Sequence, residues 1–321
     1  MNTLLLDRDG VLNVELDYAY TPETMRLLPG VAEGLRQFKG WRLFVVSNQS
    51  AVGRGLTTSE NVDACHAQLR KLLEAEDISV GYIVYCPHRP DEHCLCRKPN
   101  IGMWDQLAAR YHLKPEDCAM VGNRDSDIAF ARAIGCLSVR VADSRYPLAA
   151  PPDVYVTDLP ELADVLLDTN DDHLFTVPEA AAFAQSMQKE GKRVVTTNGA
   201  FDLLHDGHTF LFAEARKHGD VLLVGVNSDT TVRHNKGEGR PVEKEVIRAK
   251  KVARYADGVF IFSDPDPRPW LTVIRPDVHV NASTYGEDCV EAAVLREIGS
   301  KLILVPVRPE FGSTTAILPA T

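Results

Sequence analysis

Leu4-Leu5-Leu6-Asp7-Arg8-Asp9-Gly10-Val11-Leu12-Asn13 is an apolar run that ends in two aspartates separated by one residue. Such a run is typical of a buried parallel strand, and open α/β sheets bind ligands beyond the carboxyl ends of their strands. Two carboxylates this close repel each other, which a hard cation such as Mg²⁺ relieves. One carboxylate is then a candidate nucleophile toward phosphorus and the other a candidate proton donor. Taken alone, the motif favours a simpler interpretation, a strand that ends in an Asp-Gly turn.

Composition narrows the classes of function. The chain has 321 residues, which favours two domains, and its formal net charge of -10 argues against a general nucleic-acid binder. No apolar run approaches the ~20 residues of a membrane span, and no signal peptide is predicted before Leu4. We therefore expect a cytoplasmic protein whose partners are small molecules. The sequence leaves homo-oligomerisation open.

A second buried strand is predicted over Arg42–Val46, and it ends in polar residues that can hydrogen-bond a phosphoryl group without adding negative charge, namely Ser47, Asn48, Gln49 and Ser50. The alternative for these residues is helix capping, because a helix is predicted to begin near Thr58. Arg54 lies between two glycines, where a cation is either a phosphate ligand or part of a solvated turn.

A third strand over Ile83–Tyr85 leads into a loop with three cysteines and one histidine, Cys86, His88, Cys94 and Cys96. Three thiolates and one imidazole match a closed tetrahedral zinc site, and four protein ligands leave no position for a reactive water. The sequence therefore predicts a structural Zn²⁺. Free cysteines in a loop are the less favoured alternative, because soft ligands seldom cluster by chance.

Arg97 and Lys98 follow the zinc loop directly, so zinc is expected to fix the backbone that presents Lys98. A cation there can stabilise an attacking carboxylate and a phosphate together, unless it is simply a surface lysine. After a helix predicted around Met103–His112, a fourth strand ends in oxygen-bearing side chains. Among them, Asn123 is a candidate metal ligand, and either Asp125 or Asp127 is expected to orient Lys98.

These four strand ends, in this order, resemble those of the haloacid-dehalogenase-like (HAD-like) phosphatases over roughly residues 1–158. The Asp-Arg-Asp-Gly start and the Cys-x-His…Cys-x-Cys loop are similar to the heptose 1,7-bisphosphate phosphatase branch, with histidinol-phosphate phosphatases as near relatives. The resemblance implies that Asp7 forms an aspartyl-phosphate and that Asp9 is the acid and base. It further implies phosphoryl binding by Ser47 and Lys98, and a Mg²⁺ site formed by Asp7, Asp9 and Asn123.

Position 123 departs from this pattern, because the family usually carries Asp there. An amide oxygen still binds Mg²⁺ but brings less charge, so weaker metal binding is expected. Asp127 is the candidate to compensate.

The polar, non-periodic stretch that follows a predicted strand at Val154–Thr157 and its helix divides the chain. We predict two Rossmann-like α/β domains with parallel sheets, the HAD-like phosphatase domain over 1–168 and a second domain over 178–321. Residues 169–177 are the predicted linker.

The second half carries a predicted strand, Arg193–Thr197, followed by Asn198-Gly199-Ala200-Phe201-Asp202-Leu203-Leu204-His205-Asp206-Gly207-His208. His205 and His208 flank a glycine at the start of a predicted helix, where backbone N–H groups and the helix dipole favour phosphate. The alternative is a pair of capping or surface histidines. Further candidate phosphate-binding residues are Lys236 and Arg240 in a flexible loop, and Ser313 and Thr314 after a strand predicted over Leu302–Val307.

This half resembles the cytidylyltransferase-like nucleotidyltransferases, most closely the heptose 1-phosphate adenylyltransferase domains. The resemblance implies that His205 and His208 stabilise charge on the nucleotide phosphates, that Asn198, Gly199 and Phe201 belong to the substrate site, and that ATP and Mg²⁺ are used. Relatives have Lys-Gly-Gly-Asp-Tyr where this chain has Asn281-Ala282-Ser283-Thr284-Tyr285. Together with Arg308 and Glu310, which are similar to glycerol-3-phosphate cytidylyltransferases, this keeps CTP open.

The two resemblances imply consecutive reactions. Removal of the 7-phosphate from heptose 1,7-bisphosphate leaves heptose 1-phosphate, which a nucleotidyltransferase converts with ATP into ADP-heptose and pyrophosphate for surface lipopolysaccharide. Two alternatives remain at this point, a different phosphorylated sugar or polyol with CTP, or one half that has lost catalysis.

Overall fold

The computed structural model describes residues 1–17, 21–147, 151–167 and 173–306. The chain divides into two compact units, Met1–Leu167 and Asp168–Thr321, and each contains a six-stranded sheet. Every pairing between the strands described is parallel, so the predicted α/β class with two Rossmann-like sheets is confirmed. Among the residues described, no helix is both long and apolar enough to cross a membrane.

The first unit is organised around the N-terminal strand, which lies in the middle of the sheet order β3-β2-β1-β4-β5-β6. Its three leucines are fully buried, as expected for a strand covered on both faces. The strands are β1 (Thr3–Leu6), β2 (Arg42–Asn48), β3 (Tyr82–Cys86), β4 (Cys118–Gly122), β5 (Leu137–Val141) and β6 (Val154–Val156). Because all six are parallel, their carboxyl ends meet at one edge, where the predicted site residues lie.

Five α-helices connect or cover these strands, namely α1 (Val31–Gln37), α2 (Ser59–Glu74), α3 (Gly102–Tyr111), α4 (Asp125–Ile134) and α5 (Leu159–Leu167). The helix start predicted near Thr58 is confirmed, because the Thr58 side chain accepts a hydrogen bond from the Asn61 amide as the N-cap of α2. Helix α4 begins directly after β4, so the acidic residues of its first turn lie at the same sheet edge as Asp7.

The second unit has the sheet order β12-β11-β8-β9-β10-β7. Its strands are β7 (Leu174–Phe175), β8 (Val194–Gly199), β9 (Val221–Asn227), β10 (Gly258–Phe262), β11 (Val278–Ala282) and β12 (Lys301–Val305). Its helices are α6 (Val177–Lys189), α7 (Asp206–Arg216), α8 (Asp229–Lys236), α9 (Glu245–Ala253), α10 (Arg268–Ile274) and α11 (Ala292–Ile298). Chain order reverses on the two sides of β8, so the crevice beyond its carboxyl end is the expected ligand position.

The predicted linker, 169–177, was too long. Leu174 and Phe175 form β7, which pairs with Val259 and Phe260 of β10, and α6 begins at Val177. The two-residue strand gives too short a pattern to be read from sequence. The predicted phosphate ligands Ser313 and Thr314, and also Arg308 and Glu310, lie outside the described residues.

Helix α1 packs against α5 through a glycine. A Cβ atom at Gly34 would lie 2.4 Å from the carbonyl carbon of Leu159 and 2.6 Å from the nitrogen of Pro160. Both are backbone atoms, so no side-chain rotation relieves the clash. We predict that Gly34→Ala destabilises the first unit by about 1–3 kcal/mol, as overpacking does, in a urea titration followed by circular dichroism.

Gln37→Ala is the matched control, because Gln37 is an exposed residue of the same helix. Its expected effect lies within about 0.5 kcal/mol. Equal stability of Gly34→Ala and wild type would show that α1 and α5 can separate without cost.

Candidate functional site

A polar cavity of about 190 Å³ lies at the carboxyl edge of the first sheet. Its lining comes from the ends of β1 and β2, from the zinc loop and from the first turn of α4. The structure therefore brings together the predicted residues Asp7, Asp9, Ser47, Asn48, Gln49, Arg97, Lys98 and Asp127. Arg54 is exposed and does not belong to this lining.

Lys98 is the buried cation of the cavity, with 2 % of its surface exposed. Its Nζ lies 2.7 Å from Asp127 Oδ1, 3.1 Å from Asp7 Oδ1 and 2.7 Å from the Val46 carbonyl oxygen. Burial by itself lowers the pKa of a lysine, but the two carboxylates outweigh it and the pKa of Lys98 is raised. Lys98 is thus a permanent positive charge beside Asp7, and the surface-lysine alternative is wrong.

Asn48 fixes the backbone that carries Lys98. Its Oδ1 accepts a hydrogen bond from the Lys98 amide at 3.0 Å, and its Nδ2 donates to the Lys98 carbonyl at 3.1 Å. This amide was predicted to bind phosphate, but both of its polar atoms are used to join the end of β2 to the zinc loop. The hydrogen bonds place Lys98 before any ligand arrives.

Asp7 is 6 % exposed and receives hydrogen bonds at one oxygen only. The Arg8 amide donates to Oδ1 at 2.8 Å, and Lys98 contacts the same atom, so Oδ2 is the oxygen left for chemistry. Burial raises the pKa of Asp7 to about 6; Lys98 opposes this, while the charges of Asp127 and Asp9 add to it. A further cation near Asp7 would stabilise its ionised form.

Asp9 differs from Asp7 because both of its oxygens are saturated. Arg8 contacts Oδ1 and Oδ2 at 2.8 and 2.9 Å, Asn13 Nδ2 donates to Oδ1 at 3.0 Å, and Gln49 Nε2 donates to Oδ2 at 2.8 Å. Burial raises the pKa of Asp9, but the Arg8 charge and these hydrogen bonds outweigh it, so the pKa is lowered. The carboxylate has no lone pair left for Mg²⁺, and a metal contact from Asp9 would come from its backbone carbonyl.

Asn123, the third predicted metal ligand, follows β4 and is fully buried. Its Nδ2 donates to Asp143 Oδ2 at 2.8 Å, while its Oδ1 is a buried acceptor without a hydrogen-bond partner among the described residues. An orphaned amide oxygen and a buried carboxylate of raised pKa fit a hard divalent cation. Asp127, which was expected to compensate for the amide, is instead the counter-ion of Lys98.

Ser47 and Arg97, two further predicted phosphate ligands of this unit, are oriented by hydrogen bonds to other protein groups. Gln49 Nε2 also donates to Ser47 Oγ at 2.9 Å, so Ser47 is oriented by the residue that holds Asp9. Arg97 Nη1 donates to the His88 carbonyl at 3.2 Å, and its side chain reaches the cavity from the zinc loop.

The zinc loop brings its four predicted ligands together in the form of a metal site. The Sγ atom of Cys86 lies 3.4 Å from that of Cys94 and 3.3 Å from that of Cys96, and His88 Nδ1 lies 3.2 Å from the Cys96 sulfur. All four ligand atoms lie within 4.8 Å of one another. Three thiols and an imidazole nitrogen at these separations fit tetrahedral Zn²⁺. Only Arg97 separates Cys96 from Lys98 in the chain, so the cluster supports that lysine.

In the second unit, His205 and His208 lie at the start of α7 with their rings stacked, 3.8 Å between centroids. His205 Nδ1 accepts a hydrogen bond from the Gly207 amide, so the proton of a neutral ring is on Nε2, a donor. Burial lowers the pKa of both rings, that of His208 to about 3, and the neighbouring His205 and Lys236 add to that shift. His208 is therefore neutral at pH 7.

Positive charge near these rings comes from Lys236 and Arg240. Partial burial and the charges of Arg240 and Arg248 lower the pKa of Lys236. Arg240 Nε lies 2.8 Å from the buried Asp202, which also accepts hydrogen bonds from the Val242 and Glu243 amides. Asp202 thus ties the loop after α8, which carries Arg240, to the segment after β8, while Lys236 is the last residue of α8.

Arg248 is different, because its guanidinium is fully buried and donates to the Asn227 and Glu243 carbonyls. Arg248 is therefore a structural residue that joins the end of β9 to the segment before α9.

The other predicted residues of this unit surround the end of β8. Asn198 and Gly199 are its last residues, and Phe201, with φ of 47°, packs its ring 5.4 Å from the His208 ring. In the unusual segment after β11, Asn281 is buried with its amide 3.4 Å from Glu291, whereas Tyr285 is 64 % exposed. The site of this unit therefore combines neutral imidazoles with peripheral cations.

Sequence reasoning missed several residues of the first cavity. Arg124 and Tyr146 both donate to Glu15, and Arg124 stacks over the Tyr146 ring at 4.1 Å. Asp143, the partner of Asn123, was missed as well. It follows β5, and the same reasoning from polar residues at strand ends would have identified it if that strand had been recognised.

Family models match both units, HAD-hydrolase-like over residues 95–162 and cytidylyltransferase-like over 196–317. A D-glycero-beta-D-manno-heptose-1,7-bisphosphate 7-phosphatase of Pseudomonas putida is 41 % identical over 144 residues, which are 44 % of this chain and 82 % of that protein. The bifunctional protein HldE of Streptomyces coelicolor is 36 % identical over 225 residues, which are 68 % of this chain and 43 % of that protein. The latter match is longer than either unit and so involves both.

Among solved structures, D,D-heptose 1,7-bisphosphate phosphatase from B. bronchiseptica, complexed with magnesium and phosphate, is 32 % identical with a TM-score of 0.48. The match covers 52 % of this chain and 98 % of that chain.

The zinc loop generates a prediction about metal content. We expect about one tightly bound zinc per chain, and we expect His88→Ala to lose it because three ligands hold zinc less tightly than four. The measurement is elemental analysis of the purified protein after dialysis.

His93→Ala is the matched control, because His93 belongs to the same loop, is exposed and lies outside the four-residue cluster. Full zinc content in His88→Ala, or loss of zinc in His93→Ala, would contradict the ligand set.

The raised pKa of Asp7 generates a prediction about stability in metal-free buffer. Its carboxyl is protonated below about pH 6 in the folded protein but only below 3.8 in the unfolded chain. Ionisation of Asp7 therefore removes stability as pH rises through this window. We expect Asp7→Asn to melt at a higher temperature than wild type at pH 7, with a difference that shrinks toward pH 4.

The measurement is thermal unfolding at matched pH values, and Asp105→Asn, on the exposed surface of α3, is the reference substitution. A difference between Asp7→Asn and wild type that does not change with pH would rule out the proposed environment of Asp7.

Proposed function

Through its first domain this chain belongs to the D-glycero-beta-D-manno-heptose-1,7-bisphosphate 7-phosphatase family, and on this premise we propose a bifunctional enzyme of heptose activation. The first domain removes the 7-phosphate of heptose 1,7-bisphosphate. The cytidylyltransferase-like second domain joins heptose 1-phosphate to AMP from ATP, with release of pyrophosphate. The similarity to a bifunctional protein across both domains supports one enzyme with two activities.

The contact of Lys98 with Asp7 carries the proposal for the phosphatase. A carboxylate with one restrained and one available oxygen, beside a buried cation, is arranged for attack on a phosphoryl group. The lysine charge lies beside the position that the phosphoryl oxygens would occupy. It would therefore stabilise negative charge on these oxygens without reorganisation. Arg97 and Ser47, which line the same cavity, supply further donors.

The reaction has two steps. Asp7 Oδ2 attacks phosphorus, the bond between phosphorus and the sugar oxygen breaks, and Asp9, which has first taken up a proton from solvent, gives that proton to the oxygen. Water then attacks the aspartyl-phosphate, Asp9 takes a proton from it, and inorganic phosphate leaves. Because four hydrogen bonds hold the Asp9 carboxylate, at least one must break before Asp9 reaches the leaving group. Bound Mg²⁺, held by Asp7, Asn123 and the Asp9 carbonyl, would supply positive charge to the phosphoryl oxygens.

In the second domain an oxygen of heptose 1-phosphate attacks the α-phosphorus of ATP, and the bond to pyrophosphate breaks. His205 donates from Nε2 and His208, being neutral, donates a single hydrogen bond to the nucleotide phosphates. Lys236 and Arg240 balance the remaining charge. The substrate is held mainly by positioning and by these donors, as in other phosphoryl-group transfers.

CTP is the second candidate nucleotide, because the segment Asn281–Tyr285 differs from the adenylyltransferases that this domain resembles. A competition experiment distinguishes between the two nucleotides. The enzyme is incubated with heptose 1,7-bisphosphate, Mg²⁺, ATP, CTP and pyrophosphatase, and the products are identified by mass spectrometry. ADP-heptose is the expected main product. CDP-heptose as the main product would show that the enzyme uses CTP and not ATP.

Reciprocal variants test the assignment of each activity to its domain. We predict that Asp7→Asn abolishes phosphate release, because the amide is not a nucleophile, while transfer to supplied heptose 1-phosphate continues. His208→Ala is expected to slow nucleotidyl transfer by about 10²–10³-fold, the usual cost of removing one such donor, with phosphate release unchanged. Phosphate release by Asp7→Asn at the wild-type rate would eliminate Asp7 as the nucleophile.

A further inference from the structure

The contact between Asn123 and Asp143 has no role in the two reaction steps proposed for the phosphatase. Asn123 follows β4 and Asp143 follows the adjacent β5, so the two side chains meet at the sheet edge that carries Asp7. A carboxylate only accepts hydrogen bonds, so the atom of Asn123 that faces Asp143 Oδ2 at 2.8 Å is its NH₂ group. The chemistry of the partner therefore fixes which way the amide points.

This orientation directs the carbonyl oxygen of Asn123 away from Asp143. Asn123 is fully buried, and Oδ1 has no hydrogen-bond partner among the residues described. A buried acceptor left unsatisfied is costly, so such an atom marks the position of a ligand. Gly10 packs against the same NH₂ group, where a Cβ atom would lie 2.1 Å from Nδ2 and 3.3 Å from Asp143 Oδ2, so the side chain has little room to turn.

Asp143 is itself held as a carboxylate by Arg145. The Arg145 amide and Nε donate to Oδ1, each at 3.0 Å, and Nη2 donates to Oδ2 at 2.7 Å. Its negative charge is therefore placed directly behind the Asn123 amide. A carboxylate partner polarises an amide and increases the negative charge on its oxygen, as it does for metal-binding imidazoles.

We propose that Asn123 and Asp143 act as one composite magnesium ligand, in which Asn123 Oδ1 contacts the ion and Asp143 is a positioning residue that orients and polarises the amide. Asp143, which contacts the Asn123 amide, supplies the negative charge that an aspartate at position 123 would bring directly to the ion. The same geometry explains why asparagine belongs here, because an aspartate would set two carboxylates against each other at hydrogen-bond distance. This inference rests on the phosphatase function proposed for the first domain.

The test is Mg²⁺ binding to the full chain by isothermal titration calorimetry, without substrate or nucleotide. The heat that Asp7→Ala removes identifies the site in the first domain. We expect Asn123→Ala and the isosteric Asp143→Asn each to weaken binding at this site by about 10- to 100-fold, the usual effect of losing such a partner. Asn123→Asp alone is also expected to weaken binding, and the exchange Asn123→Asp with Asp143→Asn is expected to restore it.

Asp266→Asn is the matched control, because Arg268 holds Asp266 with the same three hydrogen bonds, at 3.0, 2.8 and 2.7 Å, in the second domain. It should leave the Mg²⁺ affinity unchanged. The proposal is overturned by unchanged affinity in Asp143→Asn, by tighter binding in Asn123→Asp alone, or by equal weakening in Asp266→Asn. Binding that follows the expected order in an enzyme that releases no phosphate would support this inference and refute the phosphatase function.

Discussion

The buried ammonium group of Lys98 sets the requirements for the rest of the first domain. A lysine with 2 % exposure stays charged only if other groups replace its lost hydration, and two carboxylates with one carbonyl do so here. Each of these three comes from the end of a different element, β1, β2 and α4. Removing Asp127, the closest counter-ion of this lysine, would typically cost about 3–5 kcal/mol. The sheet order must therefore keep these ends adjacent.

The zinc loop answers a second requirement of the same lysine. Lys98 lies on the loop after β3, an edge strand of the sheet, and loops are the least restrained part of an α/β domain. The cysteine and histidine cluster closes that loop two residues before Lys98, and Asn48 joins its backbone to β2. A metal bound at this cluster would therefore act on the site through the position of Lys98.

Strand-end reasoning identified much of the first site from the sequence. Asp7, Ser47, Lys98 and Asp127 follow apolar runs or a recognisable cysteine loop, and parallel sheets bring such ends together. What failed depends on side-chain direction, which spacing does not encode. Asn48 faces the backbone of Lys98, and two of the four hydrogen bonds to Asp9 come from its own neighbour Arg8. Asp143 was missed because β5 was not recognised.

The two domains approach phosphate with different electrostatics, and the difference follows from what each must do. In the mechanism proposed for the first, a carboxylate is the nucleophile, and a positive charge is buried beside it. In the transfer proposed for the second, both reacting groups belong to the substrates, so the domain needs no nucleophile of its own. It can therefore use neutral histidine donors and keep its cations at the edge, with Arg240 tied back by Asp202. In that proposal a neutral donor would attract the nucleotide and the departing pyrophosphate less strongly than a buried cation, which would favour release of product after transfer.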